Sequence, residues 1–171
     1  MKPRAGILIL AIFLVSTAFM PTASAYVSRE DSGSDSDSMY LGASPMTLNS
    51  YFHGIRTDYV THQVFVGDGT TQATWYSSSP YYANRVTLNS QVSFSGVTIS
   101  LSLPSGAGFS SSGSTATYTG IWNNVHGAVT HTYQNLQADG LGIFDEDQSD
   151  SATFRFGSTD YTVNTHIDLD A

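Results

Sequence analysis

Apolar and polar side chains alternate with a period of two through most of the chain beyond Met46, and no stretch there repeats its apolar residues at helical spacing. The clearest run is Val97-Thr98-Ile99-Ser100-Leu101-Ser102-Leu103, in which odd positions are apolar and even positions carry hydroxyls. It predicts a strand with Val97, Ile99, Leu101 and Leu103 in the core and Thr98, Ser100 and Ser102 facing water. Just upstream the phase is opposite, because Val86, Leu88, Val92 and Phe94 are all even. The register must therefore change sign across Ser95-Gly96-Val97, and a bulge at Gly96 would allow it.

The same pattern predicts strands over Tyr59 to Val66 and Thr70 to Tyr76, joined by a hairpin at Gly67-Asp68-Gly69. Thr115 to Trp122 and Val129 to Leu136 add two more. Ala152, Phe154 and Phe156 lead through Gly157-Ser158-Thr159-Asp160 into Tyr161, Val163, Thr165, Ile167 and Leu169, a final hairpin with one apolar face. About eight short strands with turns between them predict a single all-β domain, an antiparallel sandwich of Greek-key or jelly-roll-like form. No internal repeat argues for a solenoid or propeller.

The start of the chain has a different texture. Lys2 and Arg4 precede an apolar run from Ala5 to Met20, and Ala23-Ser24-Ala25 follows Pro21 as a small-residue cleavage site. Residues 1–25 thus have the form of a secretory signal peptide, with an apolar core shorter than the roughly 20 residues of a spanning helix. Secretion to the extracellular space is expected, with no transmembrane anchor left after cleavage. Residues 26–45 carry Glu30, Asp31, Asp35 and Asp37 among serines and glycines. Such a segment buries little apolar surface and is expected to be a disordered acidic leader, a spacer ahead of a β-sandwich domain over 46–171.

Composition narrows the partners. Beyond the signal peptide Arg29, Arg56, Arg85 and Arg155 are the sole cations against 14 acids, and lysine is absent. Nucleic acid and anionic lipid surfaces, which need clustered Lys or Arg, are therefore not expected as electrostatic partners, and cationic partners remain open. The chain has no cysteine, so neither a disulfide framework nor a thioether lipid is available. An exported protein without cysteine and without an Asn-x-Ser/Thr acceptor fits a bacterial source better than a eukaryotic one.

Candidate chemistry is sparse. No Gly-x-Ser-x-Gly elbow and no phosphate-binding loop occurs, although a dispersed Ser-His-Asp arrangement is recognised by geometry alone. The run Asp145-Glu146-Asp147-Gln148-Ser149-Asp150 resembles the opening of a calcium loop. Asp145, Asp147 and Asp150 are candidate Ca²⁺ ligands in an inter-strand turn, and the other expectation is a solvated acidic turn with no cofactor. Among the five histidines, His126 and His131 would face opposite sides of a regular strand, while His166 and Asp168 would share one.

Trp75, Tyr76, Tyr81 and Tyr82 surround Ser77-Ser78-Ser79-Pro80 and form the strongest candidate ligand-binding group. Neighbouring aromatics on a strand point to opposite faces, so at least one of Trp75 and Tyr76 should lie outside the core. Exposed aromatics beside hydroxyls suit an extracellular glycan, cell-wall or protein partner. The leading expectation is a secreted, non-catalytic binding module. One alternative is an antimicrobial or pore-forming toxin, because Gln91 to Thr119 has the hydroxyl-rich alternation of pore-lining hairpins. A small extracellular hydrolase is the other.

Overall fold

In the computed structural model, which describes residues 27–77 and 81–169, every regular element is a β-strand. The expected signal peptide lies outside the described residues. The strands are β1 (Val27–Leu41), β2 (Ser44–Asp58), β3 (Gln63–Trp75), β4 (Ala83–Val97) and β5 (Ser100–Ser102), followed by β6 (Ser110–Ser112), β7 (Thr115–Val125), β8 (Gly127–Gly140), β9 (Gly142–Phe156) and β10 (Thr159–Leu169). They form two antiparallel five-stranded sheets in the orders β1-β2-β3-β8-β5 and β10-β9-β4-β7-β6. Side chains from both sheets share the core, which makes the arrangement sandwich-like.

Alternation decides what enters that core. Met46, Leu48 and Phe52 face inward from β2, Phe65, Ala73 and Trp75 from β3, Val86, Leu88, Val92 and Phe94 from β4, and Ala152, Phe154 and Phe156 from β9. These residues fall into two apolar clusters. One gathers Trp75, Phe154 and Phe156 toward one end of the sandwich, and the other gathers Phe52, Phe65, Phe94 and Ile143 toward the opposite end. Between them lies a polar level, described below.

Three expectations need correction. The acidic leader is a strand over most of its length: β1 pairs with β2 from Val27 opposite Asp58 to Leu41 opposite Ser44. It buries almost no apolar side chain, and its order comes from the backbone ladder and its carboxylates. Asp35 Oδ2 accepts the His166 N–H at 3.0 Å, and Asp37 Oδ2 accepts that of Asn164 at 3.1 Å. β1 thereby covers the edge of β2 and satisfies part of the free edge of β10, where open N–H groups would otherwise invite another strand. A Cβ at Gly33 would meet Ile167 Cγ2 at 2.3 Å, so a small residue is needed where β1 crosses β10.

The second correction concerns Gly67-Asp68-Gly69, which is not a hairpin turn. β3 runs straight through it, with a bulge against β8 between Gly67 and Gly69. The actual turn is Tyr59 to His62, closed by the Tyr59 N–H donating to the His62 carbonyl at 2.9 Å. The glycines serve packing. A Cβ at Gly67 would approach the Phe65 ring to 2.6 Å, and one at Gly69 would approach the Tyr133 ring to 2.5 Å.

The expected irregularity at Gly96 is present as a register shift between Ser95 and Gly96 against β9. Beyond it Thr98, Ser100 and Ser102 are exposed, while Ile99, Leu101 and Leu103 pack half-buried on the second cluster. Val97, expected in the core, is 49% exposed. It ends β4, whereas Ile99 lies past Thr98, whose φ of 58° turns the chain toward the other sheet. The two residues thus belong to different elements and do not share a face.

A Cβ at Gly96 would sit 2.0 Å from the Gly142 carbonyl oxygen, a backbone atom with no freedom to swing away. Gly96→Ala should therefore lower stability by about 1–3 kcal/mol, as overpacking against fixed atoms does, read as a fall in the urea midpoint at constant slope.

Candidate functional site

The aromatic group sits at one end of the sandwich, where β3 leaves and β4 enters. Trp75 faces inward: it is 1% exposed, packs edge-on to Phe156 with ring centres 4.7 Å apart, and donates its indole N–H to the Tyr81 carbonyl at 2.8 Å. It anchors the connection and is not part of the surface. Tyr76, Tyr81 and Tyr82, by contrast, are each at least half exposed. Tyr81 lies parallel to Phe156 at 5.5 Å, so one end of the patch rests on the core.

His126 completes the patch; sequence reasoning set it beside His131 on one strand and did not join it to the aromatic group. Its ring is 6.2 Å from that of Tyr76 and 5.4 Å from that of Tyr82, and its Nε2 is 3.2 Å from the Ser77 carbonyl. The β7–β8 connection brings it there. A signal was present in the neighbouring Gly127, whose φ of 138° marks a sharp change of direction after His126.

The expected calcium ligands are not brought together. Asp145 to Asp150 lie inside β9, which is paired on both sides by β10 and β4. Extended backbone sends Asp145 and Asp147 outward and Glu146, Gln148 and Asp150 inward, so Asp150 is separated from the other two by the sheet itself. Asp145 accepts the Ser95 hydroxyl at 2.5 Å, and Asp147 lies 3.7 Å from His166 Nε2. Burial and the neighbouring Asp168 raise the Asp147 carboxyl above its ordinary value. Among the described residues no group of three or more His, Cys, Asp or Glu side chains is placed to hold a metal ion.

The inward half of the acidic run instead builds a polar level between the two apolar clusters. On one sheet Ser50, Thr71 and His131 are cross-strand neighbours, and on the facing sheet Thr165, Asp150, Ser90 and Tyr118 are. The two rows touch across the gap. Ser50 and Thr165 share a hydroxyl hydrogen bond of 2.5 Å, Thr71 Oγ1 donates to Asp150 Oδ2 at 2.8 Å, and the His131 ring stacks on Tyr118 at 3.5 Å. Gln148 adds a further donor to Asp150 Oδ2 at 2.7 Å and accepts the Tyr133 hydroxyl at 2.7 Å.

Ser90, His131 and Asp150 thus occur at one level, yet they do not form a nucleophilic triad. His131 Nε2 is bonded at 2.8 Å to the Ala107 carbonyl, while Ser90 Oγ, His131 Nδ1 and Asp150 Oδ1 have no protein partner. A triad requires the base bonded to the nucleophile. Burial also holds His131 below its ordinary value, against a smaller opposing pull from the Ala107 bond and Asp150, which favours the neutral ring.

Glu146 is the second buried acid. It is fully enclosed beside Arg56, whose Nη1 donates to Glu146 Oε1 at 3.3 Å and to the Ile143 carbonyl at 3.0 Å. Burial pushes the Glu146 carboxyl up to about 7, with Arg56 opposing and Asp145 and Asp168 adding to the rise.

No protein-family model matches the chain, and no curated protein is similar to it. The geometry alone therefore carries the functional argument.

The raised Glu146 carboxyl makes stability depend on pH. Between its ordinary value of 4.5 and about 7 the folded chain holds a proton that the unfolded chain has released, so stability falls as pH rises through this window and levels off above it. His131 contributes with the opposite sign, because the unfolded ring gains a proton below about 6.5 that the folded ring resists. Glu146→Gln keeps the His131 contribution and removes the other. Relative to the parent, it should gain on the order of 1–3 kcal/mol between pH 5 and pH 7.5, measured as the change in urea midpoints at the two pH values.

Proposed function

We propose that this chain is a secreted, non-catalytic binding module of jelly-roll-like sandwich form, which takes an extracellular glycan at the tyrosine-bearing end. The observation that carries this reading is the joint exposure of Tyr76, Tyr81 and Tyr82 around His126. Phe156 supports Tyr81 from below, and the Trp75 indole N–H holds the Tyr81 backbone. A patch supported in this way loses little side-chain freedom on binding, and phenol rings offer a flat apolar face with a polar rim. Tyr and Ser side by side on a loop give large contact area together with adaptable hydrogen bonding. Sugars present the matching combination of apolar ring faces and hydroxyl edges.

The negative balance of charge, with no lysine beyond Lys2, disfavours an anionic ligand, and the exposed tyrosines supply stacking and hydrogen bonds for an uncharged one. The toxin alternative lacks comparable support. β4 lies between β9 and β7, and the chain that follows is divided between the sheets as β5 and β6. It does not stand free as one hairpin.

Screening the secreted protein against immobilised glycans and cell-wall polysaccharides should yield a ligand whose binding changes little between low and moderate salt. Tyr76→Ala and Tyr82→Ala should each weaken it about tenfold or more while leaving the melting midpoint near that of the parent. Trp75→Ala should instead lower stability by about 3–5 kcal/mol, because it empties the core. Binding to proteins alone, or normal glycan binding by both tyrosine variants, would overturn the assignment.

A further inference from the structure

The polar level contains an arrangement that hydrogen bonding alone does not require. Thr71 Oγ1 lies 3.4 Å from the Gln148 carboxamide nitrogen, and both donate to the same atom, Asp150 Oδ2, at 2.8 and 2.7 Å. The carboxamide oxygen accepts the Tyr133 hydroxyl at 2.7 Å. Thr71 and Gln148 are fully enclosed and Asp150 is 4% exposed. A hydroxyl nucleophile, a polarised carbonyl carbon, a carboxylate touching both the proton to be lost and the group to leave, and a donor on the oxygen are thus assembled away from bulk water.

We propose that Thr71 and Gln148 condense into an intramolecular ester that links β3 to β9 across the sandwich. Thr71 Oγ1 attacks Gln148 Cδ while Asp150 Oδ2 takes the hydroxyl proton. The negative charge that develops on Oε1 is held by the Tyr133 hydroxyl. Collapse of the tetrahedral intermediate breaks the Cδ–Nε2 bond, and Asp150 returns its proton to the departing nitrogen. One C–O bond replaces one C–N bond, one ammonia is released, and no oxidant or co-reactant is consumed. Because one carboxylate oxygen contacts both Oγ1 and Nε2, the proton crosses without rearrangement of the site.

The surroundings suit such a bond. Burial raises the Tyr133 hydroxyl well above its ordinary value, so the phenol keeps its proton and remains a donor. The enclosed level keeps out the water that would hydrolyse an ester. β3 and β9 lie in opposite sheets, and the linked residues are 77 positions apart, so the bond would close a long loop as a disulfide does. A chain without cysteine, and without lysine beyond Lys2, has neither a disulfide nor a lysine isopeptide with which to make that cross-link.

The test is the intact mass of the secreted full-length chain, denatured, with its amino terminus sequenced. The expected mass is lower than the sequence mass by about 17 Da, the mass of one ammonia lost when the covalent bond forms. Fragmentation should place the loss in a linked peptide pair containing Thr71 and Gln148, and hydroxylamine should separate the pair. Thr71→Val and Gln148→Met should both show the full sequence mass. Asp150→Asn, shown to be folded by circular dichroism, should remain unlinked. A parent protein at full sequence mass, or an ammonia loss mapped elsewhere, overturns the proposal whatever the variants do, and a linked Asp150→Asn overturns the proton route.

Discussion

The carboxylate of Asp150 is the constraint around which the middle of this molecule is arranged. A charge removed from water between two sheets is costly unless hydrogen bonds replace the lost solvent, and those bonds must come from both layers. Thr71 donates from the facing sheet and Gln148 from the same strand, and Tyr133 then bonds Gln148. Each of these side chains is thereby held in one position and one register. The apolar clusters on either side tolerate small shifts, whereas the polar level does not, because a slip of one residue would turn Asp150 to the outside and leave its donors unpaired.

That level also separates the two ends of the sandwich. At one end, Trp75, Phe154 and Phe156 make a dry floor on which Tyr81 rests, and Tyr76 and Tyr82 stand exposed beside His126. At the other, Arg56 and Glu146 form a buried ionisable pair near Ile143. The tyrosine-bearing end, proposed as the recognition surface, therefore rests on apolar packing, while the opposite end holds the Glu146 carboxyl that burial pushes up. The proposed ester would lie between them, joining the sheets at the polar level.

β1 shows how a segment with almost nothing to bury becomes ordered. Its pairing with β2 runs over the full 15 residues of the strand, and Asp35 and Asp37 reach past the sheet edge to the backbone of β10. Acidic side chains here act as acceptors for edge N–H groups and repel additional strands at the same time, a combination that apolar residues could not supply.

The sequence by itself determined the class of fold, because period-two alternation leaves a chain little choice but strands with one dry face. The irregularity at Gly96, the inward row of Val86, Leu88, Val92 and Phe94, and the rule that Trp75 and Tyr76 must part company all follow from that period. Only the tertiary structure decided which strands meet. The order of β1 was hidden because its stabilisation lies in backbone pairing and not in its own side chains. The acidic run looked like a turn because its carboxylates suggest solvent, whereas pairing on both flanks extends the chain and divides Asp145 and Asp147 from Asp150. His126 and Tyr82 come from two connections and Thr71 and Gln148 from two strands, each pair far apart in the chain, and nothing local to either partner names the other. Local pattern specifies the face on which a side chain lies, but its neighbours across a sheet or a core are set by long-range pairing, which a single strand does not encode.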